Sequence, residues 1–434
     1  MNRRRFLYST ALAVAATGIP VLARSTKTNR ELQISRILIQ DAPGRRLTPV
    51  APNAYAPYRG YDVSEPILRI QTKQGIEGIS RMSGSADALK ELIGLDPFRL
   101  FKWRNDRIVG PSEAHRDLLH KLAGADIALL DLLGKAMQRP SAELLGKRVR
   151  KSVLVYDSSL YMEDLLKPEQ RRGLAYLQGP MPDNPVELVV LKARWLAERK
   201  EKFKAVKIKI GRARWMNSFE SAVVRDIAVT HAVRAALGPE AKIMVDGNKG
   251  YEARPSAAAE YAEAVRSAQI YFLEEMFPEV DIVATEALKR RLRSANDPVK
   301  LAAGESYGGG VPETVYTRRF KNGRREEPLI DVEQADMNAH GYLRLRAKAA
   351  LQAKLGMTMA PHNFGSKMGL FAQIHLGAVT PNWEMSELDD SEFPALRAPG
   401  IEIVKGEARL TGHPGLGVLL NENALRKPHF ELTA

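Results

Sequence analysis

Short apolar runs that end in charged residues recur along the middle of the chain. Four of them are AVKIKIG, IMVDGN, IYFLEEM and LAAGES, all between residues 205 and 306. In the first run, Val206 and Ile208 alternate with Lys207 and Lys209, which is the period-two pattern of a β-strand. The charges follow one another at intervals of about 30 residues, enough for one strand, one helix and two loops. The pattern predicts a repeated strand–helix unit.

The same rhythm continues on both sides of this central region. SVLVYDSS precedes it and predicts a first strand that ends at Asp157, whereas LIDVEQAD, LGMTMAPH and WEMSE follow it and end at Asp336, His362 and Glu387. Eight such strands predict an α/β fold, a (β/α)8 barrel over residues 151–390. The active site of such a barrel lies at the carboxyl ends of its strands, where these charged residues fall.

The region before the barrel predicts a separate α+β domain over residues 30–150. LQISRILIQ and PILRIQTKQGIEGISRM read as strands, and apolar residues at helical spacing predict a helical region from Ser112 to Gly146. Between the strands, Pro49 to Tyr61 is too irregular for a regular element. This segment is long enough to serve as a flap that determines specificity.

The amino terminus predicts an export signal. Asn2 to Leu7 contains three arginines and resembles a twin-arginine signal; the apolar run Leu7 to Ile19 and a cleavage point after Ala23 follow it. The run is shorter than the roughly 20 residues that span a bilayer, so we expect no stable membrane span. Residues 1–23 are therefore predicted to be a signal peptide, and the protein to be periplasmic or exported by the twin-arginine route.

Composition narrows the possible chemistry. The 434 residues include no cysteine, which excludes disulfides, thiolate zinc sites and cysteine nucleophiles. The net charge of +14 comes from lysines and arginines that are scattered among acids, without the basic stripe and interleaved aromatics of a nucleic-acid interface. We expect a small anionic substrate and no nucleic-acid partner. Three acids at adjacent strand ends, Asp246, Glu274 and Glu305, suggest a hard divalent cation.

The ordered set of strand-end residues resembles the enolase superfamily, mandelate racemase subgroup. The resemblance covers nearly everything after the signal. ADIALLDLLGKAMQRPSAELLG is similar to the family's helix between cap and barrel, and GHPGLGVLL to its closing segment, so residues 391–434 are expected to complete the cap. The matching strand-end positions are Lys207, Lys209, Asp246, Asn248, Glu274, Glu275, Glu305, Asp336 and His362.

This resemblance implies a role for each position. Asp246, Glu274 and Glu305 would bind one Mg2+ per subunit, and Asn248 would contact the substrate. Lys209 would abstract the proton next to the substrate carboxylate; Lys207 would contact that carboxylate and lower the pKa of Lys209 by like-charge proximity.

On the opposite face of the substrate, the resemblance implies a His362–Asp336 dyad in which the carboxylate orients the imidazole and raises its basicity. Glu387, in protonated form, would be an electrophilic partner of the substrate carboxylate, although Glu384 is close enough in sequence to compete for that role. The remaining histidines are assigned to structure: His115, His120, His231, His340, His375, His413 and His429.

The sequence also departs from the family pattern. Met276 precedes Pro278 where proline usually follows the paired acids directly, and Gln334-Ala335-Asp336 stands where Gln-Pro-Asp is common. Ala339-His340-Gly341 replaces a Gly-Gly. Asp336 excludes the muconate-cycloisomerase and dipeptide-epimerase branches, which have lysine on the sixth strand.

The reaction that the resemblance implies is dehydration of an acid sugar to a 2-keto-3-deoxy acid through an enediolate, with Mg2+ and two opposed acid–base groups, Lys209 and His362. Racemisation or epimerisation of a 2-hydroxy acid and cycloisomerisation of a sugar lactone are the alternatives within the subgroup. A glycoside hydrolase on the same barrel would leave Lys209 and the dyad unused. A sugar-binding protein without catalysis would be expected to lack a ligand or a base, and none is missing. A homo-oligomer is expected.

Overall fold

The computed structural model describes residues 32–305, 318–322 and 325–434. The predicted signal peptide, the first two residues of the predicted capping domain and the glycine-rich turn after Glu305 lie outside the described residues. Among the residues described, no helix is long and apolar enough to cross a membrane.

The cap is built on an antiparallel sheet. Its strands β1 (Ile34–Val50), β2 (Gly60–Thr72) and β3 (Glu77–Arg81) pair in sequence order, and a hairpin of β4 (Phe101–Arg104) and β5 (Arg107–Pro111) follows. The predicted helical region is three helices, namely α1 (Arg116–Lys121), α2 (Ala125–Ala136) and α3 (Ser141–Leu145). It is interrupted at Gly124, which has φ of 86° and whose added Cβ would lie 2.2 Å from the carbonyl oxygen of Asn338. Pro140 separates α2 from α3, as helix-breaking chemistry predicts.

Eight parallel strands form a closed ring. In chain order they are β6 (Val153–Leu160), β7 (Ala205–Lys209), β8 (Lys242–Asp246), β9 (Phe272–Glu274), β10 (Lys300–Ala303), β13 (Val332–Glu333), β14 (Thr358–Met359) and β15 (Ser386–Leu388). Each pairs with the next up to β14, a bridge between Met359 and Trp383 joins β14 to the start of the last strand, and β15 pairs with β6. The strand order is that of the predicted barrel.

Helices follow most of these strands. They are α4 (Val186–Glu198), α5 (Phe219–Leu237), α6 (Ser256–Ala264), α7 (Ile282–Ser294), α8 (Met337–Lys354) and α9 (Lys367–Gly377). The basic stretch after residue 317 contributes a small hairpin of β11 (Arg319–Asn322) and β12 (Arg325–Pro328).

The C-terminal segment is divided between the two layers. β16 (Ser391–Glu392) and β21 (Phe430–Thr433) pair with β1 of the cap, as expected for a segment that completes it. In contrast, β18 (Ile401–Val404) pairs with β19 (Glu407–Leu410), and β19 joins barrel strand β6. β17 (Leu396–Arg397) and β20 (Leu419–Leu420) form a short antiparallel pair, and in sequence they lie on either side of β18 and β19. The segment therefore extends the barrel as well as the cap.

The inside of the barrel is a packed layer. One buried side chain comes from each strand or its immediate flank: Tyr156, Ala205, Met244, Phe272, Ala302, Val332, Ala360 and Met385. A larger apolar cluster lies between the strands and their helices, and another fills the cap. Because side chains fill the barrel centre, polar chemistry is confined to the strand ends.

Candidate active site

The charged residues at the strand ends converge on Lys207. Its side chain is fully buried, and its ammonium nitrogen lies 2.8 Å from Glu274 Oε2, 2.9 Å from Glu387 Oε1 and 3.8 Å from Asp246 Oδ2. The Tyr156 ring of the barrel core lies 5.5 Å beneath it. Lys207 thus joins three acids from three strands at the base of the site.

The three predicted metal ligands lie together. Asp246, Glu274 and Glu305 each present a carboxylate oxygen, and these atoms are all within 4.8 Å of one another. Neighbouring amides orient two of them: Gln334 Nε2 donates to Glu274 Oε2 at 2.7 Å, and the Asn248 backbone donates to Asp246 Oδ1 at 2.8 Å. The Asn248 side chain also donates to Asp246 at 3.2 Å, so its amide nitrogen is engaged with this ligand.

The electrostatics of this cluster favour a cation. Burial, together with the nearby Asp246 carboxylate, raises the pKa of Glu274 to about 8; burial and the Glu305 carboxylate raise the pKa of Glu275 to about 9. After burial, the largest contributions to both shifts come from neighbouring carboxylates, which repel a further negative charge. An all-oxygen donor set with excess negative charge fits a hard divalent ion such as Mg2+.

Lys209 lies on the same face of β7 as Lys207 and forms a close ion pair with Asp246 Oδ2. Lys207 lowers the pKa of Lys209, as expected from the proximity of two like charges. Burial lowers the pKa of Lys209 and so does Lys207, but the Asp246, Glu274 and Glu305 carboxylates together outweigh them, and the pKa lies above its ordinary value. Among the carboxylates, Asp246 contributes most because it is in direct contact with the Lys209 ammonium group.

His362 and Asp336 form the predicted pair. The imidazole Nδ1 lies 2.8 Å from Asp336 Oδ2, and Nε2 lies 3.5 Å from Glu305 Oε2. Burial lowers the pKa of His362, but the Glu305 and Asp336 carboxylates overcome it, so the pKa lies well above the ordinary value. Asp336 is also the N-cap of α8, since its other oxygen accepts from the Ala339 amide at 2.8 Å.

The structure separates Glu387 from Glu384. Glu387 accepts from Lys207 and, at 2.8 Å, from the Asn363 amide. Glu384 instead binds Lys300, Tyr271 and Thr358, which lie at or just before the starts of their strands and therefore at the opposite end of the barrel. Burial raises the pKa of Glu387, but Lys207 and His362 reverse this and hold it below its usual value. Glu387 therefore accepts hydrogen bonds here, and these contacts favour its ionised carboxylate. The sequence analysis expected the protonated form.

The cap covers the site at the carboxyl ends of the barrel strands. A cavity of about 120 Å³ is lined by the barrel residues Lys209, Asn248, Glu305 and His362 and by cap and loop residues that include Asn53, Tyr55, Arg59, Tyr161 and Phe364. The predicted flap therefore does border the site. It is held in place because Trp215 Nε1 donates to the Asn53 carbonyl at 2.7 Å and Arg214 Nη1 to the Tyr55 carbonyl at 2.7 Å.

Sequence reasoning missed a set of buried charges that attach the cap to the loop after His362. Arg46 binds Asp389 at 3.1 Å and stacks on Phe364 at 4.9 Å, and Arg81 Nη1 donates to the Gly365 carbonyl at 2.9 Å. Glu65 is fully buried and accepts from the Lys367 amide at 3.0 Å and the Met368 amide at 3.2 Å. These residues lie on separate cap strands, so no local pattern marks them as a group.

Comparison with known proteins defines the class to which this fold and site belong. The family described as enolase C-terminal domain-like matches residues 191–424, more than half of the chain. The chain belongs to this family, which confirms the resemblance to the enolase superfamily.

Individual proteins to which the chain is similar share 26–29% sequence identity with it. The D-galactarolactone cycloisomerase of Agrobacterium fabrum is 29% identical over 354 residues, covering 77% of this chain and 81% of the relative. The structure of galacturonate dehydratase from Geobacillus sp., complexed with D-galacturonate and 5-keto-4-deoxy-D-galacturonate, has a TM-score of 0.73 and 27% identity, covering 91% of this chain and 96% of that one. A mutant of that dehydratase complexed with Mg has a TM-score of 0.74 and 26% identity, covering 92% and 96%.

Proposed function

We propose that this protein is a Mg2+-dependent lyase that dehydrates an acid sugar, an aldonate, aldarate or uronate-derived acid, to a 2-keto-3-deoxy acid. The observation that carries the proposal is that Lys209 and His362, from well-separated strands of the barrel, line the same small cavity beside the acid triad. Two acid–base groups that approach one substrate from different strands suit removal of a proton and departure of a hydroxyl from adjacent carbons.

Asp246, Glu274 and Glu305 would hold the ion. When bound, Mg2+ supplies positive charge that stabilises the enediolate as the α-proton leaves. Lys209, in its neutral form, would take the α-proton on its side-chain nitrogen; an ion held by Asp246 would offset the carboxylate charge that raises the pKa of Lys209. Lys207 would balance the negative charge of the substrate carboxylate, the role that the family resemblance implies, from its buried position beside Glu274 and Glu387.

His362 completes the reaction. Its Nδ1–H is directed to Asp336, which leaves the Nε2–H for the β-hydroxyl of the substrate. Transfer of that proton lets the hydroxyl leave as water, while the electrons of the enediolate form the new double bond. The resulting enol tautomerises to the 2-keto-3-deoxy acid, and no external oxidant or reductant is consumed.

Cycloisomerisation of a sugar lactone is the second candidate, because one relative, the Agrobacterium fabrum protein, is named for that activity. The same two acid–base groups would serve it. Epimerisation also uses both groups, whereas a glycoside hydrolase would leave Lys209 and the dyad without a role.

We further propose that the amino-terminal segment directs export by the twin-arginine route to the periplasm and that the enzyme is a homo-oligomer. The first proposal is supported by Arg3, Arg4, Arg5 and the apolar run that follows them. The second is supported by the family resemblance alone.

In the experiment, two variants are each supplied with a panel of aldonic, uronic and aldaric acids in deuterated solvent with Mg2+. Lys209→Ala should lose both 2-keto-3-deoxy product and exchange of the α-proton. His362→Asn should lose product and retain exchange, because Lys209 and the triad remain.

Matched controls are available. Lys300→Ala removes a lysine at the opposite end of the barrel, and His413→Asn removes an exposed histidine; both should turn over at the wild-type rate. Retention of exchange by each active-site variant with only one of two epimers, and no dehydration product, would establish epimerisation instead. Loss of all exchange in His362→Asn would make His362 the abstracting base.

A further inference from the structure

A second cavity lies on the cap side of the barrel, apart from the active site. It is a groove of about 620 Å³ between the hairpin β4–β5, the end of α3 and one face of α8, and none of its lining residues lines the active-site cavity. Its volume is within the range of sites that hold small organic ligands. We call it the arginine groove because Arg104, Arg107 and Arg346 line it.

The groove has an unbalanced charge. Among the described residues that line it there are three guanidinium groups and no carboxylate. Arginine side chains present planar donors that match carboxylate and phosphate oxygens in pairs. The charge pattern therefore selects an anion.

Two of the arginines are placed for binding before any ligand arrives. Arg346 Nη1 donates to the Ile108 carbonyl at 2.6 Å and to the Leu145 carbonyl at 2.9 Å, which holds its guanidinium at the junction of the hairpin and α3. Arg107 Nε is buried and has no hydrogen-bond partner. A buried donor without an acceptor is costly, so an oxyanion that accepts from it would gain free energy.

The remaining surface is apolar. Ile108 and Leu145 are buried beneath the groove, and Leu343, Ala347 and Ala350 present one face of α8 to it at helical spacing. The two alanines are small, which leaves depth for a carbon skeleton between the arginines.

We propose that the arginine groove binds a small organic anion, a compact carbon skeleton that carries a phosphate or carboxylate group. The proposal is independent of the reaction at the active site. The shared chemistry is the oxyanion, and the two sources of it, a phosphate ester and a dicarboxylate, are distinguished by titration.

The test is isothermal titration of the full-length, Mg2+-loaded protein at low ionic strength with 3-phosphoglycerate, galactarate and inorganic phosphate in separate experiments. The decisive variant is R104Q/R107Q. It removes both charges while keeping a polar, unbranched side chain, and it leaves Arg346 in place, since Arg346 donates to two backbone carbonyls and its loss would risk the local fold. The matched control is R397A/R409A, which removes the same charge from two exposed arginines outside the groove.

We expect at least one organic anion to bind the wild type and the control with equal affinity and R104Q/R107Q about tenfold or more weakly, because a hydrogen bond to a charged group is lost at each position. All variants should share the wild-type melting temperature without ligand. Tighter binding of 3-phosphoglycerate identifies a phosphate ester, and tighter binding of galactarate a dicarboxylate.

Three results would overturn the proposal. The first is that none of the three probes binds with a Kd below about 10 mM, which would be far weaker than the affinity of ordinary ligand sites. The second is equal loss of affinity in R104Q/R107Q and R397A/R409A, which would reduce the effect to net charge. The third is a change of oligomeric state in R104Q/R107Q alone, which would make the groove an interface between copies of the chain.

Discussion

Replacement of Asp336 by asparagine isolates the role of the dyad from that of the helix cap. One carboxylate oxygen of Asp336 bonds His362 and the other accepts from the Ala339 amide at the start of α8. Asparagine keeps an amide oxygen for the cap, and it is as good an N-cap as aspartate. It removes the charge that holds the imidazolium.

The structure sets the size of the effect. The bond from His362 Nδ1 to Asp336 Oδ2 is 2.8 Å long and joins two charged groups when the imidazole is protonated. Such a bond contributes about 1.5–3 kcal/mol. Since about 1.4 kcal/mol corresponds to a factor of ten, Asp336→Asn should lower kcat for dehydration by about 10- to 150-fold. KM should change little, because Asp336 acts through His362 and not on the substrate.

The assay measures product formation, α-proton exchange and thermal unfolding on the same samples. Asp336→Asn should keep exchange, because Lys209 is untouched, and should keep the wild-type melting temperature. Asp336→Ala is the control that loses the cap as well, and its free energy of unfolding should fall by about 1 kcal/mol. Wild-type kcat in Asp336→Asn, or loss of exchange together with dehydration, would refute the role assigned to the dyad.

Further outcomes follow from other parts of the molecule. Dialysis against EDTA should abolish turnover and Mg2+ should restore it; full activity in a verified metal-free sample would contradict the assignment of the acid triad. Burial lowers the pKa of His375 to about 4, so this residue binds fewer protons folded than unfolded, and stability of up to about 3 kcal/mol should be lost as pH falls from about 6.5 to 4; a His375→Leu variant should show a flatter acid limb in thermal melts. Replacement of Arg3 and Arg4 by lysine should retain the precursor inside the cell, and unaltered export in cell fractionation would argue against a twin-arginine signal.

The strand ends could be located from the sequence because two physical rules coincide there. Alternating apolar residues indicate a buried strand, and burial of a charged side chain at the end of that strand costs free energy unless the charge has a function. Runs such as AVKIKIG and IMVDGN therefore identify both the strand and the site. The structure places Lys207, Asp246, Glu274, Glu305 and His362 around one centre, as that reasoning anticipates.

The details that depend on register or on distant partners could not be predicted. Glu384 and Glu387 are three residues apart in the same short run, but strand β15 begins at Ser386 and only Glu387 lies at the carboxyl end of the barrel. The net pKa of Lys209 likewise depends on Asp246, which is 37 residues away in sequence and in contact in space. Pair distances of this kind follow from the fold and not from composition.

The position of the dyad depends on the cap as well as on the barrel. Helix α8 begins at the Asp336 cap but is interrupted at Gly341, where φ is 69° and the backbone leaves the helical region. Directly after the break, Asp126 of α2 accepts from the amides of Tyr342 at 3.0 Å and Leu343 at 2.8 Å. A carboxylate of the capping domain therefore satisfies the first amides of the second part of α8.

The space at this break is closed to any larger residue. A Cβ at Gly341 would lie 2.1 Å from Asp126 Oδ1, which explains why the break needs glycine both for its φ and for the approach of the carboxylate. Burial raises the pKa of Asp126 to about 6, whereas the two amides that it accepts from oppose this rise and stabilise the ionised carboxylate. Asp126 accepts from amides after the break in α8, and Glu65 accepts from the first amides of α9, so carboxylates of the capping domain hold both helices that follow the strands of the dyad. The geometry of the proton donor is therefore a property of the cap–barrel interface, and a barrel without its cap would lack two of the groups that hold it.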